Sequence, residues 1–184
     1  MKVAVTGGIG SGKSYVCERL RERGIEVYDC DSAAKRLMRT SHAMRRQLKA
    51  LMGDRVCPED GKLDKSAISA FLLASPDNAA RLNAIVHPAV AADFEASGMQ
   101  WMECAILFSS SFDRLVDKVV CVTAPPDVRM NRIMRRDGIT AERAREWIDC
   151  QMPQDEVRAR SDFEIVNDGN ADVEEQLEKL LKIL

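Results

Sequence analysis

The sequence predicts an α/β fold in which a five-stranded parallel sheet is covered by helices on both faces, giving three layers. Short apolar runs alternate with longer helical stretches along the 184 residues, the pattern of strands joined by crossover helices. The runs are apolar almost throughout, as expected for strands with both faces covered. The predicted strands are residues 2–6, 25–28, 100–108, 118–123 and 163–166.

A glycine-rich segment follows the first predicted strand and fits the pattern Gly-x-x-x-x-Gly-Lys-[Ser/Thr] of a phosphate-binding loop. In such a loop, backbone N–H groups surround the phosphates, Lys13 reaches the terminal ones, and the Ser14 hydroxyl holds magnesium. Apolar residues at helical spacing then predict a helix that starts at Lys13 and stops at Gly24. The predicted nucleotide-binding residues here are Gly7, Gly8, Ile9, Gly10, Ser11, Gly12, Lys13, Ser14 and Tyr15.

Tyr15 stands where Thr is most common in such loops. Because the hydroxyl that would hold magnesium belongs to Ser14, we interpret Tyr15 as a packing change or a contact to the nucleotide base.

Two aspartates, Asp29 and Asp31, follow the second predicted strand. Ligands of parallel sheets bind beyond the carboxyl ends of the strands, so these carboxylates are predicted at the same rim as the phosphate loop. A carboxylate there can orient an attacking hydroxyl and take its proton, the role we assign to Asp31. The alternative is that Asp31 only caps a helix starting at Ser32, while Asp29 orders or caps the loop.

Residues 32–98 contain no convincing strand and predict a helical subdomain that binds the acceptor. Ser75-Pro76-Asp77 is typical of a helix start, and Pro88 is expected to kink or restart a helix beside His87. Residues 53–64 are the most loop-like part. The predicted helices lie near 32–39, 42–52, 64–74 and 77–97.

A second helical region, residues 132–160, is predicted to be a lid, and the core then comprises residues 1–31, 99–131 and 161–184. Eight Arg and no Lys occur between positions 129 and 160. Arginine suits phosphate oxygens, although about half of these side chains fit a solvated, salt-bridged surface equally well. Arg132 and Arg136, one helical turn apart, could project from one face of a closing flap. An arginine placed in this way accelerates phosphoryl transfer roughly a thousand-fold or more.

Composition narrows the functional classes. A net charge of −2 argues against broad affinity for nucleic acid, and no apolar run approaches the length of a membrane span, so we expect a soluble, cytoplasmic protein. Six cysteines without a C-x-x-C pair indicate reduced core thiols. The guanine-reading sequence Asn-Lys-x-Asp is absent, which disfavours GTP. The sequence does not indicate an oligomeric state.

Several motifs occur in order along essentially the whole chain. They are Thr6 to Ser14, Asp29-Cys30-Asp31, Ile85-Val86-His87-Pro88, Ile106-Leu107-Phe108, Arg132-x-x-x-Arg136-Asp137, Gln151, and Asp162 with Asn167. Together these segments resemble the dephospho-CoA kinases. The combination separates this family from adenylate, shikimate and gluconate kinases, which share the loop.

The resemblance implies a P-loop kinase that transfers the γ-phosphate of ATP, with Mg²⁺, to the ribose 3′-hydroxyl of dephospho-CoA. This is the last step of coenzyme A synthesis. By the same resemblance Asp31 would be the base, with Lys13 and Arg136 stabilising the transferred charge. Arg132 and Asn167 would approach the nucleotide, although Asn167 is equally interpretable as a turn residue before Asp168-Gly169. The implied acceptor contacts are Asp29, Lys35 and His87, the last of which has a structural role as its alternative.

Two departures from the family pattern leave alternatives open. The family usually has Asp-x-Pro-Leu-Leu-Phe-Glu after the third strand, whereas this chain keeps a carboxylate in Glu103 but has Ser109 at the final acidic position. Lys35 stands where Arg is frequent, which preserves the charge but not the planar fork. A kinase for another small metabolite and a non-catalytic nucleotide-binding regulator therefore remain alternatives.

Overall fold

The computed structural model of the protein describes residues 1–57 and 63–184. These residues divide into two units, the first comprising Met1–Tyr28 with Met99–Leu184 and the second comprising Asp29–Gly98.

A five-stranded parallel sheet in the order β2-β3-β1-β4-β5 organises the fold, as the sequence predicts. Central β1 pairs in parallel with both β3 and β4, and β4 pairs in parallel with β5. All four residues of β1 are buried, which explains its continuous apolar sequence. The strands are β1 (Val3–Thr6), β2 (Val27–Asp29), β3 (Trp101–Glu103), β4 (Lys118–Thr123) and β5 (Phe163–Val166).

Helices connect the strands. In chain order they are α1 (Lys13–Glu22), α2 (Cys30–Thr40), α3 (His42–Met52), α4 (Lys65–Ala74), α5 (Asn78–Ser97), α6 (Pro126–Asp137), α7 (Ala141–Asp149), α8 (Gln154–Ala159) and α9 (Val173–Ile183). The core of the first unit forms where valines of β1 and β4 pack against the apolar stripes of α1 and α9. Helix α9 is amphipathic, with Val173, Leu177 and Leu180 on its buried face.

Two predicted strands are too long. The prediction for residues 100–108 is wrong beyond Glu103. The Cys104 N–H still donates to the Val5 oxygen of β1 (3.0 Å), but the chain turns from residue 105 onward. Leu107 is buried within this turn while Ile106 is 47% exposed, so the apolar run continues past the strand without pairing. The second strand starts at Val27 because the Ile25 N–H still bonds the end of α1 at Leu20 (3.1 Å).

In the second unit, the four predicted helices correspond to α2–α5. Helix α2 begins at Cys30 and is capped by Asp29, whose carboxylate accepts a hydrogen bond from the Ser32 N–H (3.0 Å). The alternative reading of Asp31 as the cap is therefore wrong, because Asp31 already lies in the first turn. A small core of α3 and the short 3₁₀ turn Asp54–Val56 holds these helices together.

Proline has less effect on α5 than expected. The helix starts at Asn78 rather than at Pro76, and it runs to Ser97 without restarting at Pro88. Proline removes one hydrogen-bond donor, whereas Val86, Val90 and Phe94 continue the same buried face on both sides of it. The predicted loop at 53–64 is only partly testable, because Pro58, Asp60 and Gly61 lie outside the described residues.

All six cysteines are free thiols and five of them are buried, with Cys150 exposed. Burial raises the pKa of Cys121 to about 11, which keeps its thiol protonated. Within the described ranges, no helix is both long and apolar enough to cross a membrane.

The Asp162 carboxylate ties β4 to the start of β5, and its replacement should lower stability in a pH-dependent way. It accepts hydrogen bonds from Lys118 Nζ and from the Val119 N–H, both at 2.8 Å, and these lower its pKa. A carboxyl whose pKa is lowered by folding stabilises the protein above the unfolded pKa and loses that contribution as the pH falls through the folded pKa. We expect Asp162→Asn to reduce the free energy of unfolding by about 1 kcal/mol at pH 7.

Urea unfolding at pH 7 and at pH values below 4 measures this difference. The two proteins should converge in acid, and exposed Asp155→Asn serves as the matched control. A gap between Asp162→Asn and the parent that is independent of pH would contradict the assignment.

Candidate active site

The glycine-rich loop connects β1 to α1 and requires glycine where it meets the helix. Gly12 precedes α1 with φ +94°, a conformation that L side chains rarely adopt. A Cβ on Gly12 would also lie 2.0 Å from Asn167 Nδ2. The loop can therefore keep this path only with glycine at position 12.

Lys13 folds back over the loop. Its Nζ donates to the carbonyl oxygens of Gly7 (2.8 Å) and Gly8 (3.3 Å). Burial lowers the pKa of Lys13, and the nearby Glu103 carboxylate opposes that shift. A bound triphosphate would add negative charge and favour the protonated amine, so this side chain is suited to neutralise phosphate oxygens.

Ser14 and Glu103 form a second polar pair at the loop. Ser14 Oγ donates to Glu103 Oε1 at 3.3 Å, which places a hydroxyl and a carboxylate together at the end of β3. Mg²⁺ prefers oxygen ligands and usually binds through one or two protein groups together with substrate phosphates. This pair therefore fits a magnesium ion carried by a nucleotide. Among residues 1–57 and 63–184, no group of three or more His, Cys, Asp or Glu side chains could hold a metal ion.

Asn167 and Arg132 bond the part of the loop just before α1. The buried Asn167 amide donates to the Ser11 carbonyl (3.0 Å) and accepts a hydrogen bond from Arg132 Nη2 (3.3 Å). Arg132 Nη1 also lies 3.4 Å from the Gly10 oxygen and 3.3 Å from the Ser11 oxygen. The structure thus brings both of these predicted site residues to the loop, where they hold its carbonyl groups.

Two further residues at the loop had no role assigned from sequence. Gln151 Oε1 accepts a hydrogen bond from the Ile9 N–H (2.7 Å), and Arg129 Nε donates to the Ile9 oxygen (2.9 Å). Gln151 appears in the family pattern, and Arg129 precedes Arg132 by nearly one helical turn. The three-residue spacing of Arg129 and Arg132 on a helix was the sequence feature that indicated that both side chains could reach the same loop.

Arg136 does not share the environment of Arg132. Its guanidinium is exposed and bonds the carboxylate of neighbouring Asp137 at 2.7 Å, which raises the pKa of Arg136. Helix α6 ends at Asp137, with Gly138 in the left-handed conformation, and the Thr140 side chain caps α7. The prediction that Arg132 and Arg136 project together is not what the structure shows, because Arg132 packs on the loop. The role of Arg136 in a lid stays a prediction.

The predicted acceptor residues belong to the second unit. Exposed Asp31 forms an ion pair with Lys35 one turn along α2. Half-buried His87 lies in α5, where burial lowers its pKa. Their roles toward a substrate, like the substrate role of Asp29, stay predictions.

Tyr15 belongs to the first unit. It is 43% exposed with the Arg19 guanidinium 5.2 Å from its ring centre, so it is not a core packing residue. Contact with a nucleotide base stays a prediction.

A cavity of about 160 Å³ opens beside the loop in the first unit. Its walls are formed by the start of the loop, by the turn that follows β3 and by the segment between α7 and α8. Ser109 lines it and donates to the Ile106 oxygen (3.2 Å). The lining residues are Thr6, Gly7, Gly8, Ala105, Ile106, Leu107, Phe108, Ser109, Cys150, Gln151, Met152 and Val157.

Known proteins with the same sequence pattern identify the family. The family model described as dephospho-CoA kinase matches residues 1–173. The chain belongs to the dephospho-CoA kinase family. A dephospho-CoA kinase of Bacteroides fragilis (strain YCH46) is 37% identical over 191 residues, an alignment that covers 100% of this chain and 93% of the relative.

Solved structures share the fold of this chain. The crystal structure of TT1252 from Thermus thermophilus matches with a TM-score of 0.84 and 30% identity over 100% of this chain and 97% of that one. A dephospho-CoA kinase from Campylobacter jejuni, at 21% identity and a TM-score of 0.69, covers 99% of this chain and 96% of its own and shares the fold. The predicted P-loop kinase fold and the predicted family are thereby confirmed. Dephospho-CoA kinases are transferases that use ATP, so the predicted enzyme class is confirmed as well.

Replacing Asn167 tests whether its bonds shape the loop for nucleotide. Asn167→Ala removes the amide donor from the buried Ser11 carbonyl and the acceptor of Arg132 Nη2, at a cost of about 1 kcal/mol for each hydrogen bond lost. We expect the dissociation constant of ATP to rise about tenfold or more, corresponding to about 1.4 kcal/mol. Isothermal titration calorimetry measures this change, with exposed Asn170→Ala three residues away as the control. Unchanged ATP affinity in a folded Asn167→Ala protein would contradict the role.

Proposed function

We propose that this protein transfers the γ-phosphate of ATP to the 3′-hydroxyl of the ribose of dephospho-CoA, giving coenzyme A and ADP. The proposal is carried by one observation: a phosphate loop with Lys13 and the Ser14–Glu103 pair in place, within a chain that matches the dephospho-CoA kinase family over residues 1–173.

Binding of the triphosphate follows from the loop. It ends at the amino terminus of α1, where unpaired N–H groups and the helix dipole favour anions. Lys13 adds a mobile positive charge, because its bonds to the Gly7 and Gly8 carbonyls can be exchanged for phosphate oxygens. Ser14 and Glu103 would hold Mg²⁺ on the phosphates, and bound magnesium would supply neutralisation of the charge that develops during transfer.

Activation of the acceptor is assigned to Asp31. Its carboxylate is exposed in the first turn of α2, just beyond the carboxyl end of β2, where ligands of parallel sheets bind. In the transfer step the 3′-oxygen attacks the γ-phosphorus, the bond from that phosphorus to the β-bridging oxygen breaks, and the hydroxyl proton passes to Asp31. Lys35, now paired with Asp31, becomes available to the acceptor when the hydroxyl takes its place, and Asp29 and His87 complete the proposed acceptor contacts.

Arg136 is the proposed lid arginine. Its exposed guanidinium is held by Asp137 at the end of α6, next to Gly138, whose left-handed backbone ends the helix before α7. Movement of the proposed lid, residues 132–160, would bring this charge to the transferred phosphoryl group and exclude water from it.

A phosphate-transfer assay tests the proposal directly. With ATP and magnesium, dephospho-CoA should be phosphorylated at least a hundred times more efficiently than adenosine, AMP, shikimate or gluconate, because a site that binds the entire acceptor uses its remote contacts in the transition state. Equal or more efficient transfer to one of the other acceptors would identify that acceptor, and not dephospho-CoA, as the substrate. Absence of transfer to all five would favour the non-catalytic alternative.

The role of Asp31 predicts a separation between binding and turnover. Asp31→Asn should lower kcat by about 10²- to 10⁴-fold, the usual contribution of general-base catalysis, while the dissociation constant of ATP stays within twofold. Steady-state kinetics and calorimetry supply the two measurements, and the highly exposed Asp54→Asn in the same unit is the control. If the kcat of Asp31→Asn stayed close to that of the parent protein, Asp31 would not be the general base.

The Ser14–Glu103 pair predicts magnesium-dependent binding. Glu103→Gln keeps the size of the side chain but removes the charge that favours the ion, so ATP binding in magnesium should weaken about tenfold, or about 1.4 kcal/mol. In EDTA the parent and variant should bind ATP alike, which separates loss of the ion from damage to the loop. An equal loss in both conditions would indicate that Glu103 acts through the shape of the loop instead.

A further inference from the structure

A buried arginine, Arg129, lies against the phosphate loop. Only 5% of it is exposed, although it belongs to a helix that is otherwise rich in exposed charges. Its Nε donates to the Ile9 oxygen at 2.9 Å. A Cβ on Gly8 would lie 2.3 Å from Arg129 Nη2, and one on Gly10 would lie 2.7 Å from the Arg129 backbone oxygen. Both the guanidinium and the backbone of Arg129 therefore pack directly on the loop.

The charge of this guanidinium has no acidic partner within the described part of the chain. None of the ion pairs formed there includes Arg129. Burial lowers its pKa, and the one group that opposes this is the Cys121 thiol, which is itself protonated at neutral pH. Lys13, another cation at the loop, adds repulsion rather than compensation. A buried charge is normally paired, because removing it from water costs several kcal/mol.

The location of this unpaired charge indicates what compensates it. Arg129 packs against Gly8 and Ile9, which belong to the loop that binds the nucleotide phosphates in the proposed function. An anion seated in the loop would supply the missing negative charge, and in a water-poor environment the attraction extends over several ångströms. The bond to the Ile9 carbonyl also orients the loop, so Arg129 affects the phosphates through the loop.

We propose that Arg129 is a further positioning residue, whose buried and acid-free guanidinium holds the loop and strengthens its affinity for nucleotides in proportion to their phosphate charge. The proposal rests on the function proposed above only in requiring that the loop bind nucleotide phosphates. In the unliganded protein the buried charge of Arg129 then has an electrostatic cost, which bound ATP offsets. Replacing Arg129 with an uncharged side chain should therefore have opposite effects on the free and bound states.

The experiment compares Arg129→Met, which keeps an unbranched apolar stem, with Arg129→Lys, which keeps the charge. The matched control is Arg135→Met, an exposed position on the same helix. For Arg129→Met we expect the dissociation constant to rise about tenfold for ATP, about threefold for ADP and less than twofold for AMP by calorimetry. Arg129→Lys should recover at least part of the ATP affinity. The melting temperature of unliganded Arg129→Met should equal or exceed that of the parent, with a smaller increase on adding ATP.

Kinetics add a second readout. Because Arg129 acts through the loop on nucleotide binding, Arg129→Met should raise the KM for ATP about tenfold and change kcat by less than threefold. A side chain with a merely structural role would instead lower the unliganded melting temperature and weaken all three nucleotides equally. That result, or an Arg135→Met protein with the same losses, would overturn the proposal.

Two further controls separate the role of Arg129 from a failure of folding and from a failure of the proposed function. If Arg129→Met does not fold, Arg129→Gln is held to the same criteria, since it is also uncharged and can donate a hydrogen bond. The calorimetric series needs no acceptor. A protein that fails to phosphorylate dephospho-CoA can therefore still confirm or refute the role of Arg129.

Discussion

The path of the backbone between β1 and α1 depends on side chains that bond its carbonyl oxygens. Lys13 bonds the Gly7 and Gly8 oxygens, Arg129 bonds that of Ile9, and Arg132 with Asn167 holds those of Gly10 and Ser11. A peptide unit is planar, with its N–H and C=O directed oppositely. Bonds that hold these carbonyl groups therefore also fix the directions of the N–H groups in the same peptide units. The conformation of the phosphate loop is in this sense a consequence of how its carbonyl oxygens are bonded.

These bonds come from distant parts of the chain. Arg129 and Arg132 belong to α6, while Asn167 follows β5 and lies 156 residues from the carbonyl that it bonds. The loop can adopt its binding conformation only when the sheet has assembled β4 and β5 beside β1. Formation of the site is thus coupled to folding of the first unit, and a substitution in α6 or after β5 can alter nucleotide affinity without contacting the nucleotide.

The sequence was informative where the relevant chemistry is local. The spacing of Gly12, Lys13 and Ser14 identified the loop, and the alternation of apolar runs with helices identified the parallel sheet. The prediction failed after Glu103, because the apolar residues at 104–108 are equally compatible with a strand and with a turn that buries only some of them. It also treated Arg132 and Arg136 alike, since helical spacing places them on one face but does not reveal that Arg132 packs on the loop while Arg136 bonds Asp137. Arg129 could not be distinguished from the surface arginines because its burial depends on contacts with residues 120 positions away.

The distribution of thiols gives this protein a ready attachment point for an optical reporter. All six cysteines lie within the described residues, and five are enclosed in the interior, leaving Cys150 as the accessible sulfur. Cys150 borders the same cavity as Gly7 and Gly8 and precedes Gln151, whose side chain bonds the Ile9 N–H. A maleimide dye would therefore react at one position of the natural chain, without engineered cysteines. Its fluorescence would report on occupancy of the cavity and on rearrangement of the segment between α7 and α8.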